Sequence, residues 1–185
     1  AANEWILHDS YGASLAAFVT PNAREIKPVL ERARELLEKS TGDPSTQGYQ
    51  VGSERAHKIA RAVYEALREQ KIVYSNPPAA FEKNVQKVRT ATMVLEAKEA
   101  TCLDSTVLYA SCLAAVGLDP VLFLVKNHAF SGYFTKDNLN LPQSSYGATG
   151  EEKELIFDLV KKGYVQPVET TTLCDGPGSA NFTAA

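Results

Sequence analysis

Ala100-Thr101-Cys102-Leu103-Asp104 is the stretch whose reading decides the fold. Behind it Leu103, Val107, Leu108, Leu113 and Val116 recur at roughly helical intervals, interleaved with small Ala110, Ser111, Ala114 and Ala115, and Gly117 is a suitable stop. Small residues nearly all round predict a helix packed on several sides, with Cys102 in its first turn. A thiol there lies on free backbone N–H groups and the positive end of the helix dipole, which favour thiolate and therefore a nucleophile. Asp104, two residues along, does not share a face with Cys102. It is expected to favour the helix N-terminus electrostatically or to brace a neighbouring loop.

Downstream, Val121-Leu122-Phe123-Leu124-Val125 is a continuous apolar run of strand length, read as a strand covered on both faces. It leads directly to Lys126-Asn127-His128-Ala129-Phe130. Asn127 can supply a bend, and Ala129 to Phe134 reads as the next strand. Residues 135–150 read as an exposed loop, Glu151 to Lys162 as a charged helix closed by Gly163, and Tyr164 to Val168 as a last strand with Glu169 at its end. Cysteine, histidine and acid in that chain order can build a thiol triad for acyl transfer. Cys102 would attack the carbonyl, His128 would take the proton and return it to the leaving group, and Glu169 would fix the imidazole tautomer. Asp158, the rival acid, sits in a helical segment rich in Glu and Lys that suits a solvent-facing position. The developing oxyanion needs two donors: the Cys102 backbone N–H is a natural one, and Gln86 is the candidate for the other.

Upstream, Trp5-Ile6-Leu7 and Leu15 to Val19 read as short extended pieces around the turn-rich Asp9-Ser10-Tyr11-Gly12. Thr20-Pro21 offers an N-cap for an amphipathic helix that carries Ile26, Val29, Leu30, Ala33, Leu36 and Leu37 and ends near Ser40. Gly42-Asp43-Pro44-Ser45 breaks the chain before a second helix bearing Ala56, Ile59, Ala60, Val63, Ala66 and Leu67, which stops near Gln70. His57 on that helix, among charged neighbours, is expected at the surface. Lys71 to Tyr74 is a brief strand candidate, Asn76-Pro77-Pro78 forces an irregular segment, and Phe81 to Glu99 is mixed, with room for a short helix around Met93 to Leu95.

At 185 residues and 44% hydrophobic, the chain has the makings of one well-buried core and is short for two. A formal charge of −3 gives no broad basic surface, so direct nucleic-acid binding is not predicted. Three cysteines, Cys102, Cys112 and Cys174, are an odd number without short paired spacing, which argues against a disulfide framework and a Cys-x-x-Cys zinc site and for a reducing, cytoplasmic setting. Cys112 reads as structural, and Cys174 as incidental in a mobile tail. No membrane span, no acidic loop of calcium-ligand spacing and no Gly-rich phosphate loop is found, so neither a metal nor an organic cofactor is implied. The expected organisation is a single domain over residues 1–185, its core about 20–172, excised from a larger protein.

The stretch from Val94 to Phe134, with Thr101-Cys102-Leu103-Asp104, Gly117-Leu118-Asp119-Pro120 and His128-Ala129-Phe130-Ser131-Gly132, resembles the transglutaminase-like superfamily of papain-type thiol enzymes. More narrowly it is similar to a bacterial subgroup in which such a domain lies within large helicase-containing proteins. Trp5, His8-Asp9-Ser10, Leu15-Ala16-Ala17-Phe18-Val19, Gly48-Tyr49-Gln50 and Pro77-Pro78-Ala79 also fit that subgroup. The resemblance implies an α+β papain-like core, N-terminal helices packed on the Cys102 helix and a small antiparallel sheet. It assigns Cys102 as nucleophile, His128 as general base and acid, and Glu169 as orienting acid. Two positions depart from the superfamily's common pattern: Ala100 stands where glycine is frequent before the nucleophile, and Glu169 where aspartate is. The function it implies is a cysteine peptidase, deamidase or, further off, transglutaminase acting on a protein or peptide substrate. The other class is a non-catalytic interaction or sensor module serving the helicase-like domains of a parent protein.

Overall fold

The computed structural model describes residues 3–6, 9–76, 85–137 and 150–176, with the backbone alone for 9–13 and 150–153. Along the chain run β1 (Glu4–Ile6), α1 (Lys27–Thr41), α2 (Ser53–Arg68), β2 (Val73–Tyr74), β3 (Val85–Lys87), α3 (Ala91–Ala97), β4 (Glu99–Ala100), α4 (Cys102–Ala115), β5 (Pro120–Val125), β6 (His128–Phe134), α5 (Gly150–Lys161) and β7 (Val165–Val168). Helices and small sheets are mixed as an α+β arrangement. The expected loop over residues 135–150 lies mostly outside the described residues, as do Leu7 and Pro77-Pro78.

The central helix is α4. Every residue from Leu103 to Leu113 is buried, because its apolar and small side chains leave no polar face to turn outward. α2 and α3 pack on it from the N-terminal half, β5 and β6 from the C-terminal half. α1 lies against α2, and Val29, Leu30, Ala33 and Leu37 of α1 join Ile59, Val63 and Leu67 of α2 and Leu108 and Leu113 of α4 in the main core.

β5, β6 and β7 form an antiparallel sheet in that order. Asn127, at φ +61°, takes the left-handed turn between β5 and β6 that the sequence predicts of it. Gly132 is where the sheet closes most tightly. A Cβ there would lie 2.6 Å from the Gln166 carbonyl oxygen and 2.8 Å from the Phe123 ring. The remaining strands make two pairs, β1 with β3 antiparallel and β2 with β4 parallel.

Five sequence expectations are corrected. Leu15 to Val19 is not extended: Asp9–Phe18 is a 3₁₀ helix, whose three-residue repeat turns Leu15 and Phe18 toward the same cluster. The first long helix begins at Lys27, not after Pro21. Residues 20–23 make a turn, a 3₁₀ turn follows at Arg24–Ile26, and Pro28 is the proline that occupies the helix start. β5 is not covered on both faces, because it is the edge strand and its tip runs past the core, leaving Leu124 and Val125 exposed. Cys174 is not in a loose tail. The chain after the 3₁₀ helix Thr170–Leu173 returns beside β2, where the Asp175 N–H donates to the Ile72 carbonyl at 2.6 Å and Cys174 is buried. His57 is half-buried instead of superficial, since its Nδ1 meets the Tyr133 hydroxyl at 2.7 Å.

Candidate functional site

Cys102 is the first residue of α4, and its position is fixed by a capping box. The Thr101 hydroxyl accepts from the Asp104 N–H at 3.2 Å while the Asp104 carboxylate accepts from the Thr101 N–H at 3.0 Å. Asp104 is fully buried and also accepts from the Arg89 backbone at 2.7 Å and from Arg89 Nη1 at 2.9 Å. Its carboxylate therefore serves a cap and a paired guanidinium, as the loop-bracing expectation had it.

The half-buried Cys102 side chain packs against a cluster of Trp5, Leu15, Val88, Leu103, Val107 and Ala129. Ala129 is the residue after His128. On the other side, Thr106, one turn beyond Cys102 on the same face of α4, meets the Thr170 hydroxyl at 3.1 Å. Thr170 is the residue after Glu169. The first turn of α4 thus faces the start of β6 and the end of β7 together.

Those two strand ends bring the histidine and the acid into contact. β6 and β7 pair with Ser131 opposite Val168, so continuing the ladder by one residue sets Glu169 opposite Phe130, diagonal to His128 on the same face. His128 Nε2 lies 2.8 Å from Glu169 Oε2. The His128 ring stacks near Phe130, whose ring stacks in turn on Phe123 with centroids 4.8 Å apart. Glu169 is held from below: its Oε1 accepts from the Thr171 N–H at 2.9 Å and from the Thr171 hydroxyl at 2.7 Å. Partial burial pushes the Glu169 carboxyl up. The hydrogen bonds from His128 and Thr171 outweigh it and hold the group below the usual carboxylate range. An ionised Glu169 places the imidazole proton on Nε2 and leaves Nδ1 to serve as base. Among the described residues no hydrogen bond joins the Cys102 thiol to the His128 ring.

Gln86 lies on β3 directly opposite Trp5 of β1. Opposed residues of an antiparallel pair share a face, so Gln86 projects on the side where Trp5 joins the Cys102 cluster. Asp158 is exposed and paired with Lys162 at 2.6 Å, a solvent-facing position as its helical context predicts. The other two thiols are buried, and burial pushes Cys112 up to about 12 and Cys174 up to about 11. Sequence reasoning missed Thr171, whose grip on Glu169 follows from the acid capping a 3₁₀ turn; the run Glu169-Thr170-Thr171-Thr172 carried that signal.

Among the described residues no cluster of three or more His, Cys, Asp or Glu is arranged to hold a metal ion, and no helix is long and apolar enough to cross a membrane. Comparison with known proteins returns no match to a family model, to a curated protein or to a solved structure.

Proposed function

We propose that this chain is a thiol-dependent amide hydrolase or acyl transferase of papain-like, transglutaminase-like design, with Cys102, His128 and Glu169 as its triad. The observation that carries the reading is the 2.8 Å contact between His128 Nε2 and Glu169 Oε2, built at strand ends that face the first turn of the Cys102 helix. A histidine oriented by an ionised acid beside a thiol on a helix N-terminus is the arrangement that nucleophilic catalysis needs.

In the reaction so read, the Cys102 sulfur bonds to the carbonyl carbon as its proton passes to His128 Nδ1. The carbonyl π pair moves to oxygen, opposite the Cys102 N–H and the Gln86 amide as candidate donors. The intermediate collapses with cleavage of the C–N bond, and His128 returns the proton to the leaving amine. Water or another amine then releases the acyl group. A protein or peptide amide is the substrate class that suits this chemistry, and helicase-like domains of a parent protein are the partners that suit the resemblance.

The test is alkylation by iodoacetamide, read by mass spectrometry across pH. Cys102 should react faster than a free model thiol near pH 7, and His128→Ala and Glu169→Gln should each slow it, the first by roughly tenfold or more. Alkylation at the rate of a model thiol, indifferent to His128, would remove the enzyme reading and leave the interaction-module alternative.

A further inference from the structure

Thr170-Thr171-Thr172 follows Glu169 directly, and its three hydroxyls go three ways. Thr171 donates to the Glu169 carboxylate. Thr172 Oγ1 donates to the Glu169 backbone carbonyl and meets the Tyr64 hydroxyl of α2 at 2.6 Å. Thr170 instead meets Thr106 of α4 at 3.1 Å. Among the described residues this is the one hydrogen bond between α4 and the Thr170–Leu173 turn, and both threonines are fully buried.

The protons of these hydroxyls have one consistent arrangement. Thr106 Oγ1 lies 2.7 Å from the Cys102 carbonyl oxygen, which can only accept, so the single Thr106 proton goes there. Thr170 must then donate to Thr106. The result is a directed line, Thr170 O–H to Thr106 O–H to the Cys102 carbonyl, that starts at the residue after the acid and ends on the nucleophile. The Ser105 hydroxyl donates to the same carbonyl at 3.0 Å, so two side chains of α4 hold the Cys102 peptide. On the acid's side the Thr172 proton goes to the Glu169 carbonyl, which leaves Tyr64 to donate to Thr172. The Glu169 turn is thereby anchored on α2 through one line and on α4 through the other. Both lines are buried, where a hydroxyl that loses its partner finds no water to replace it.

We propose that Thr106 and Thr170 are positioning residues of the site, a buried hydroxyl pair that sets the Cys102 turn of α4 in register with the His128–Glu169 dyad. The proposal rests on the reading of Cys102 as nucleophile. Neither threonine touches substrate or moves a proton in the reaction. The apolar packing of α4 on β6 has no preferred direction and would tolerate a slide or a turn of the helix. A hydrogen bond of fixed length and angle does not. Pinning α4 at Thr106, one turn from Cys102 on the same face, holds the thiol to the imidazole that Glu169 orients.

The test is alkylation of Cys102 in the full chain by iodoacetamide across pH, read by mass spectrometry. In Thr106→Val/Thr170→Val both hydroxyls give way to apolar groups of the same shape, and neither is left unpaired. Near pH 7 Cys102 should react about three- to tenfold more slowly than in the unmodified chain, its profile moved toward that of a model thiol, because less of it is thiolate. Thr106→Ser/Thr170→Ser, which keeps both hydroxyls, should restore the profile. Added to His128→Ala, the valine pair should slow the reaction no further, since the base it positions is already gone. A valine-pair profile that overlays the unmodified one, no recovery in the serine pair, or an equal fall in the His128→Ala background would each overturn the proposal, the last by making the pair a support for the helix alone. If the valine pair does not fold, Thr170→Ala against Thr170→Ser makes the comparison with the hydroxyl absent and present, and equal profiles overturn it. Alkylation of the unmodified chain at the rate of a model thiol, indifferent to His128, would instead sink the nucleophile reading, and this proposal with it.

Discussion

His57 is a single residue whose surroundings set a measurable property of the whole protein. Its ring lies edge-on to Tyr133 with Nδ1 at 2.7 Å from the hydroxyl, and burial lowers its pKa below the usual histidine value of 6.5. The folded state therefore binds the His57 proton less readily than the unfolded chain does, so stability is full above the unfolded value and falls as pH drops through it toward the folded one. Melting temperature should decline between pH 7.5 and 5.5, and the decline should be shallower in His57→Gln. An identical slope in the two proteins would show that His57 does not titrate across folding. At this scale the sequence was readable where a residue acts through its neighbours in the chain: Cys102 at a helix start and Asp104 as its brace follow from local order. His57 was not readable in the same way, since the tyrosine that buries it is 76 residues away.

Among the elements, the approach to α4 and the β6–β7 pair carry the geometry of the site. Asp104 is wholly buried, and three donors from Arg89 and Thr101 converge on its carboxylate. Asp104→Ala removes the acceptor for all three and leaves the Arg89 guanidinium only its longer contacts to Glu99 at 3.5 Å and Ser75 at 3.4 Å, so it should destabilise the fold by roughly 3–5 kcal/mol in urea titration. A loss under 1 kcal/mol would mean that the cap and the ion pair are replaceable by water. Gly132 sets the spacing of β6 and β7 at the position opposite Pro167. Gly132→Ala must push the Gln166 carbonyl or the Phe123 ring aside, and overpacking of this kind costs about 1–3 kcal/mol. Because His128 and Glu169 meet across the same pair of strands, this variant should lose Cys102 reactivity toward iodoacetamide at temperatures where it remains folded. Unchanged reactivity would uncouple the sheet spacing from the dyad. The pattern of apolar residues revealed α2 and α4 by their helical spacing and β5 by its continuous run, while charged residues closed by Gly163 revealed α5. The brief strand expected over Lys71 to Tyr74 is present as β2, whereas the 3₁₀ helix at Asp9–Phe18 repeats every three residues and the two-residue β4 has no room for a period, so neither was read.

Among the described residues, one core and two satellite clusters divide the work. The main core joins α1 to α4 with the ends of β6 and β7 and holds Cys112 and Cys174, the Cys102 cluster lies at the head of α4, and a third cluster seats α5 against β5 and β7. The mixed helix-and-sheet class and the meeting of His128 with Glu169 follow the sequence expectation, because the alternation of elements and the chain order of the residues both survive folding. The return of the chain past Leu173 to pair beside β2 had no such signal, since the backbone hydrogen bonds that join it to β2 leave no mark in the pattern of side chains.

That return divides the three thiols into one that meets solvent and two that meet only protein. A chromogenic disulfide reagent at neutral pH should consume one equivalent of thiol from the native chain and three in denaturant, the native equivalent vanishing in Cys102→Ala. Two or more rapid equivalents from the native chain would contradict the burial of Cys112 and Cys174. The colour that develops slowly afterwards has a second meaning: it counts openings of the core. The protein thus carries an intrinsic clock for its own unfolding, with Cys112 and Cys174 as its hands and Cys102 as the separate mark of whether the site is intact.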